Sequence, residues 1–395
     1  MIRRAYPKYI NNQMFSNINS YNSKDENELF FNQGRSAIKF ILKILTAYYK
    51  RSLTVALQAF NCETVVKAVL EAKCQVILMD VKITDFSIDF NELTIIDRPD
   101  ILILTHYQGV PNIQYEIIAE YCTKNNIFLI EDLCQTEYSK INGVLVGELA
   151  NVSIRSFGFD KPFCCYQGGS LYINNVQHEL KEQIKTKYAM LPIESDASAI
   201  LDLEVLQYLL ELHSEKNYKS SLDCLELIRK LMRLKIKEEI IPEIVTNTIV
   251  QRLFRAKTKI SELVKGSKIQ ILRLNPLKQD FILVQRQYFD WERNNMFVEF
   301  LEEWLSSRGY PLHRIDNAVI NWNRYSIYDQ TDKMKQEMAL LNIEAGNFNW
   351  AVPMNQLFKR NKNIVIQESY INSEHLCKHI VNIPVWCDLS KLLNT

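Results

Sequence analysis

The chain has 395 residues, 47% of them apolar and 24% charged, with a formal net charge of +1. That length predicts two domains with separate cores, and the even charge balance, with no basic block, gives a nucleic-acid or anionic-membrane partner no electrostatic footing. Nine cysteines without a C-x-x-C pair make neither a disulfide framework nor a zinc ribbon, and point to a reducing cytoplasm.

Met1-Ile2-Arg3-Arg4 is basic, but no apolar stretch follows it, so no signal peptide is expected. No run approaches the ~18 apolar residues that a membrane span requires. Residues 1–30 are rich in Asn, Ser and Tyr and carry little periodicity, which predicts an irregular arm packed on the body or on a partner. Asn32-Gln33-Gly34-Arg35-Ser36-Ala37 is expected to open a helix that runs to about Tyr49, because Ile38, Ile41, Leu42 and Leu45 recur at helical spacing. Gly34 before that helix would let backbone approach a phosphate, and Ser36 adds a hydroxyl. Taken alone, a single glycine there reads more readily as a simple N-terminal turn.

Strand and helix then alternate. Strands are expected at Leu53–Leu57, Gln75–Met79, Ile101–Leu104, Ile127–Ile130, Val152–Arg155 and Ser170–Ile173. Helices are expected at Cys62–Ala72 and Ile113–Lys124, and then over 175–188, 197–213, 217–236 and 244–265. Short connections between such elements argue for a mostly parallel sheet covered by helices. Beyond about 267 the character changes. Phe281–Gln285 reads as an apolar strand and Asn295–Ser307 as an amphipathic helix. A polar, aromatic-rich stretch follows over 310–370, then a helix near 373–381. The division predicted is an arm over 1–30, a large domain over 31–266 and a smaller α+β domain over 267–395.

One stretch carries the chemistry: Ser156-Phe157-Gly158-Phe159-Asp160-Lys161, with Gly168-Gly169 shortly after it. An amine that forms an imine and then shuttles a proton suits Lys161. A carboxylate that keeps a pyridine nitrogen protonated suits Asp132, which follows an apolar strand and so stands at the carboxyl end where open sheets bind ligands. Ser156, at the end of the next strand, would hold a phosphate. These three residue types together point to pyridoxal phosphate. Gln135 stands three residues after Asp132 and is placed to donate to the cofactor's phenolic oxygen. Phe60 would offer a flat face to the ring, although on spacing alone a core phenylalanine is the simpler reading.

Other signals weigh less. His106 after a strand reads more readily as a hydrogen-bonded loop histidine than as a site residue. His375 and His379 are four apart on one helix face, but without the glutamate of a H-E-x-x-H motif an exposed helix is the simpler reading. Cys164-Cys165 reads as a pair of buried thiols near the site. No G-x-G-x-x-G, P-loop or G-x-S-x-G occurs.

Gly34-Arg35-Ser36-Ala37-Ile38, Ala59-Phe60-Asn61-Cys62, Glu131-Asp132-Leu133-Cys134-Gln135, the Ser156–Lys161 stretch and Gly168-Gly169 stand in an order and spacing that resemble the DegT/DnrJ/EryC1/StrS sugar aminotransferases. The resemblance is strongest over 31–175, and Ile383-Pro384-Val385 is similar to that family's closing strand. It implies an aspartate-aminotransferase-like large domain of pyridoxal-phosphate fold type I with a smaller C-terminal α+β domain. It implies a homodimer with active sites at the subunit interface, glutamate as amino donor and a nucleotide-linked keto-sugar as acceptor. Such a reaction serves polysaccharide, lipopolysaccharide or secondary-metabolite biosynthesis. Carried over, Lys161 is the Schiff-base lysine, Asp132 the pyridinium partner and Gln135 the neighbour of the phenolic oxygen. Ser156 and the Arg35–Ser36 backbone hold phosphate, and Phe60 stacks on the ring. The chain departs from the family around Pro192-Ile193-Glu194-Ser195, where many members carry G-Y-N-Y-R. Members with histidine in place of the lysine dehydrate sugars, and Lys161 argues against that reaction. The alternative is a cofactor-binding member with a regulatory or degenerate, non-catalytic role.

Overall fold

The structure is a computed structural model that describes residues 25–158, 160–200, 202, 203, 206, 268–287, 291–341, 343, 345, 350–367 and 369–385. Its first half runs β1 (Glu28–Phe31), α1 (Gly34–Tyr49), β2 (Thr54–Gln58), α2 (Glu63–Glu71), β3 (Gln75–Met79), α3 (Phe90–Ile95), β4 (Ile101–Thr105), α4 (Tyr115–Lys124), β5 (Phe128–Asp132), β6 (Lys140–Ile141), β7 (Val144–Leu145), β8 (Val152–Ser156), β9 (Gly169–Ile173) and α5 (His178–Ala189). The later part adds α6 (Pro276–Gln287), α7 (Trp291–Ser307), β10 (Ala318–Val319), β11 (Arg324–Tyr328), α8 (Lys333–Leu340), α9 (Met354–Leu357), β12 (Ile364–Val365), α10 (Ile371–His379) and β13 (Ile380–Pro384).

The large sheet has the order β1-β9-β8-β5-β4-β2-β3-β12. Neighbours from β8 to β12 pair in parallel, and β9 runs antiparallel to both β8 and β1. The α/β, mostly parallel sheet expected from the alternation is thus present. Its central strands are mostly apolar and buried because helices cover both faces. One apolar layer joins α1 and α2 to strand side chains such as Val55, Leu57 and Ile103. The other joins α4 to Ala56, Leu102, Leu104 and Leu129. After β2 the chain steps to β3 on one side, then returns to β4 on the other. This reversal lies between β2 and β4, and ligands bind outside the strand ends at such a switch point.

Three expectations need correction. Residues 28–31 are not part of an irregular arm but an edge strand, held by the β9 ladder from Glu28↔Tyr172 to Phe31↔Gly169. The Tyr188 hydroxyl accepts the Phe30 N–H and donates to its carbonyl. Phe281–Gln285 is not a strand but the core of α6, buried all round. A short wholly apolar run carries no period that separates the two states. The last helix ends at His379, because Ile380 already pairs with Tyr328 in the two-stranded sheet β11–β13. The helices expected over 217–236 and 244–265 lie outside the described residues.

The later elements pack in three places. β11 and β13, with α7, α8 and α10, share an apolar cluster with Phe60, Phe86 and Tyr107. Phe281 and Val284 of α6 pack with Phe30, Phe157 and Phe163. β12 extends the large sheet beside β3.

Candidate active site

The site is built first by register. Thr105 of β4 lies opposite Asp132 of β5, and Asp132 lies opposite Ile154 of β8, two residues before Ser156. Three adjacent parallel strands therefore end abreast with Thr105, Asp132 and Ser156. All three line a cavity of about 380 Å³, together with Lys161, Gln135, Gly34 and Arg35.

Alternation along β5 separates two neighbouring acids. Glu131 is fully buried and consumed by structure: its carboxylate meets His106 Nε2 at 2.8 Å and accepts the Tyr115 hydroxyl at 2.8 Å. His106 Nδ1 accepts the Asn112 N–H at 3.0 Å, so this histidine braces a loop. Asp132 is only 3% exposed, and its Oδ1 accepts the Cys134 N–H at 3.0 Å. Asp132 forms no ion pair among the described residues. A nearly buried carboxylate facing a cavity without a counter-charge suits a ligand that brings a cation.

Lys161 follows a tight loop. Its N–H donates to the Gly158 carbonyl, Phe157 and Gly168 are bonded across the loop base, and the Cys165 N–H donates to the Phe157 carbonyl. Its Nζ stands 3.3 Å from the Asp160 carboxylate. Burial works against the ammonium, but the Asp160 charge together with the Cys134 and Cys62 thiols outweighs it and holds the Lys161 pKa above its ordinary value. Asp160 is likewise held below its ordinary value: burial raises it, and the Lys161 and Arg324 charges with the hydrogen bond to Lys161 together more than offset that.

The third wall is the start of α1. Gln33, Gly34 and Arg35 all line the cavity. Neither a side-chain cap at Gln33 nor an acidic first turn competes for the helix's free N–H groups. Such a terminus attracts an anion. The close seat of this turn depends on glycine: a Cβ on Gly169 would stand 2.3 Å from Gly34 N, and one on Gly34 would stand 3.1 Å from the Arg155 carbonyl. Arg35 Nε donates to Gln33 Oε1 at 2.6 Å, and Gln33 Nε2 donates to Gln167 Oε1 at 3.0 Å. Burial lowers the Arg35 pKa.

The cavity thus gathers Lys161, Asp132, Gln135, Ser156 and Arg35. Gln135 is 3% exposed and its Oε1 has no hydrogen-bond partner. Two expected site residues lie elsewhere. The Ser36 hydroxyl turns away and donates to the Gln270 carbonyl at 2.8 Å. Phe60 is fully buried behind the wall, packed on Tyr107 and Trp350, and does not line the cavity. Residues not singled out from sequence include Thr105, Cys134, Gln167 and Trp350. The strand-end rule that located Asp132 applies equally to Thr105. Burial, then the adjacent Asp132 charge, push the Cys134 thiol well above its usual range. His375 and His379 rings are 6.2 Å apart, and no group of three metal-ligating side chains occurs among the described residues.

Residues 12–191 match the DegT/DnrJ/EryC1/StrS aminotransferase family. A sequence comparison with curated proteins finds no match. The fold of this chain is similar to a sugar aminotransferase from Micromonospora echinospora, at 13% identity and a TM-score of 0.65, covering 100% of this chain and 98% of that one. It is also similar to a putative sugar aminotransferase from Streptococcus pneumoniae in its PLP form, at 12% identity and a TM-score of 0.65, covering 99% and 96%. A third likeness is an E. coli GDP-4-keto-6-deoxy-D-mannose-3-dehydratase with bound hydrated PLP, at 13% identity and a TM-score of 0.62, covering 97% and 87%. The chain therefore has the fold of pyridoxal-phosphate fold type I enzymes. No helix among its described residues is long and apolar enough to cross a membrane.

Proposed function

We propose that this chain is a pyridoxal-phosphate-dependent aminotransferase that moves an amino group from glutamate to a keto-sugar, one linked to a nucleotide. The observation that carries the reading is the convergence of Lys161, Asp132 and the start of α1 on one cavity at the strand ends. When bound, the cofactor supplies an electron sink for breaking a Cα–H bond. Asp132 holds the pyridine nitrogen in its protonated form, which a nearly buried carboxylate without a counter-charge is suited to do. The α1 terminus and Ser156 hold the phosphate. Gln135, with an unsatisfied amide oxygen inside the cavity, lies against the ring's polar edge. Lys161 is the amine that holds the cofactor and the base placed to take the donor's Cα proton. Asp160 keeps that amine protonated in the empty site, so uptake of cofactor should quicken as pH rises toward the Lys161 pKa.

Lysine at position 161 favours amino transfer over the dehydration named for the E. coli relative. The reading also includes a homodimer with shared active sites, in the cytoplasm. The test is direct. Purified protein incubated with pyridoxal phosphate should gain a visible absorption band, borohydride should fix the cofactor to Lys161, and glutamate should bleach the band in a single turnover. A band that glutamate leaves untouched would favour the non-catalytic alternative. The absence of any band would end both readings.

A further inference from the structure

A flat cofactor ring needs an apolar face, and the β2–α2 turn is where that face is expected. At this turn only Cys62, Thr64 and Val65 reach the cavity, and none of them has a ring. Phe60 is fully buried one layer back. Among the described residues, the aromatic side chains that do line the cavity are Tyr166, on the Lys161 loop, and Trp350, far away in sequence. Trp350 is 5% exposed. Its ring meets Phe60 edge-on, with centroids 4.9 Å apart and planes at 77°, and lies 4.8 Å from Tyr107 at 52°.

The chain around Trp350 is registered to the same turn. The Met354 N–H donates to the Ala59 carbonyl at 2.9 Å, immediately before Phe60. Further on, Ile364 and Val365 pair with Val76 and Ile77 of β3. Trp350 is thus held by two rings behind it and a backbone bond four residues away, so little side-chain freedom remains to be lost when a ligand binds.

We infer that Trp350, braced by Phe60 and Tyr107, is the aromatic wall against which the cofactor's ring lies, taking the place expected of Phe60. Phe60 is then a positioning residue that acts through Trp350. The inference rests on the cofactor reading above. It also means that a segment remote from the Lys161 and Asp132 motifs completes the cofactor cavity.

The test compares Trp350→Met, which keeps bulk without a ring, with Trp350→Phe, which keeps a flat face, and with Tyr166→Leu. Cofactor affinity is titrated by visible absorbance, and the melting temperature of cofactor-free protein serves as the control for folding. Trp350→Met should weaken cofactor binding roughly tenfold, the upper end for one aromatic contact, while Trp350→Phe and Tyr166→Leu stay within about twofold of wild type. A second measurement needs no destabilising variant. In wild-type protein labelled with 5-fluorotryptophan, the fluorine signal of Trp350, identified by its loss in Trp350→Phe, should move more than any other tryptophan signal on cofactor binding. A wild type that takes up no cofactor overturns the cofactor reading and this inference with it. A wild type that loads while the Trp350 signal stays in place, or while Trp350→Met binds as tightly as wild type, overturns this inference alone.

Discussion

Two buried lysines show how this molecule divides its work. Lys278, on α6, has a fully buried side chain, with Nζ 2.7 Å from Asp202 and 3.2 Å from Glu194. Asn275 fixes the same corner through the Glu194 carbonyl and Asp196. Lys161 keeps 15% of its side chain exposed to the cavity and has the Asp160 carboxylate 3.3 Å away. Both amines are held above their ordinary pKa against burial. The difference lies in access. Around Lys278 two acids close the site and leave no path for a ligand. Around Lys161 one side stays open, so the charge can be given up when a carbonyl arrives. The comparison teaches that a shifted lysine marks chemistry only where geometry leaves the amine reachable.

The sharpest way to break this contrast is to remove each amine in turn. Lys161→Ala should abolish borohydride fixation and lower turnover by about 10⁴-fold or more, since attachment point and proton carrier are lost together. Its stability should change by less than ~1 kcal/mol, because Asp160 remains reachable by water. Lys278→Met should do the reverse. Leaving Glu194 and Asp202 buried without a cation costs about 3–5 kcal/mol, measured by denaturant unfolding, while turnover per folded molecule holds. A Lys278→Met protein as stable as wild type, or borohydride fixation that survives in Lys161→Ala, would erase the distinction.

Asp132→Asn probes the same cavity more gently. The shape is kept and the charge removed, so cofactor should still load at Lys161. The half-reaction with glutamate should slow by at least ~10²-fold, about 2.7 kcal/mol of lost transition-state stabilisation. Single-turnover bleaching at the wild-type rate would exclude Asp132 as the pyridinium partner.

The two lysines also mark what could be read in advance. Lys161, Asp132 and Ser156 sit at the ends of strands whose apolar runs are plain in the sequence, so local pattern sufficed to place them. Lys278 and Trp350 owe their surroundings to contacts with residues about 75 to 290 positions away along the chain, and no periodicity encodes such pairing. The strand expected at Phe281–Gln285 failed for a related reason. That helix is wrapped on every side, and Gln285 bonds the backbone of Cys164 through both ends of its amide, so the polar face that identifies a helix is missing. Phe60 was legible as a core residue and, by resemblance, as a ring partner. Only the docking of residues 350–354 on Ala59 and Phe60 shows which of these its position permits.

The smallest expected effect tests how the edge strand β1 is fastened to α6, the helix that carries Lys278. Arg286 grips Glu28 through two bonds of 2.7 and 2.9 Å, and the Ser170 hydroxyl donates to Glu28 Oε1 at 2.6 Å. Burial alone would raise the Glu28 pKa. The Arg286 charge and hydrogen bonds overcome burial and bring it down to about 2, from 4.5. A carboxyl depressed on folding stabilises the protein fully above its unfolded pKa of about 4.5, and that contribution is lost as pH falls toward 2. Glu28→Gln keeps an acceptor for Ser170 but removes the charge facing Arg286. Arg286 still lies 5.5 Å from the Phe157 ring and 5.8 Å from the Phe163 ring, and it retains the attraction of Glu137, so it is not left wholly unpartnered. The net loss at pH 7 should therefore be about 2 kcal/mol, below the ~3 kcal/mol that the full shift would represent. Denaturant unfolding of both proteins should show this gap unchanged from pH 7 down to about 5 and closing between 4.5 and 2. A gap that widens on acidification would mean that Glu28 is protonated more readily in the folded protein than in the unfolded chain. β1 would then be held to α6 by packing alone.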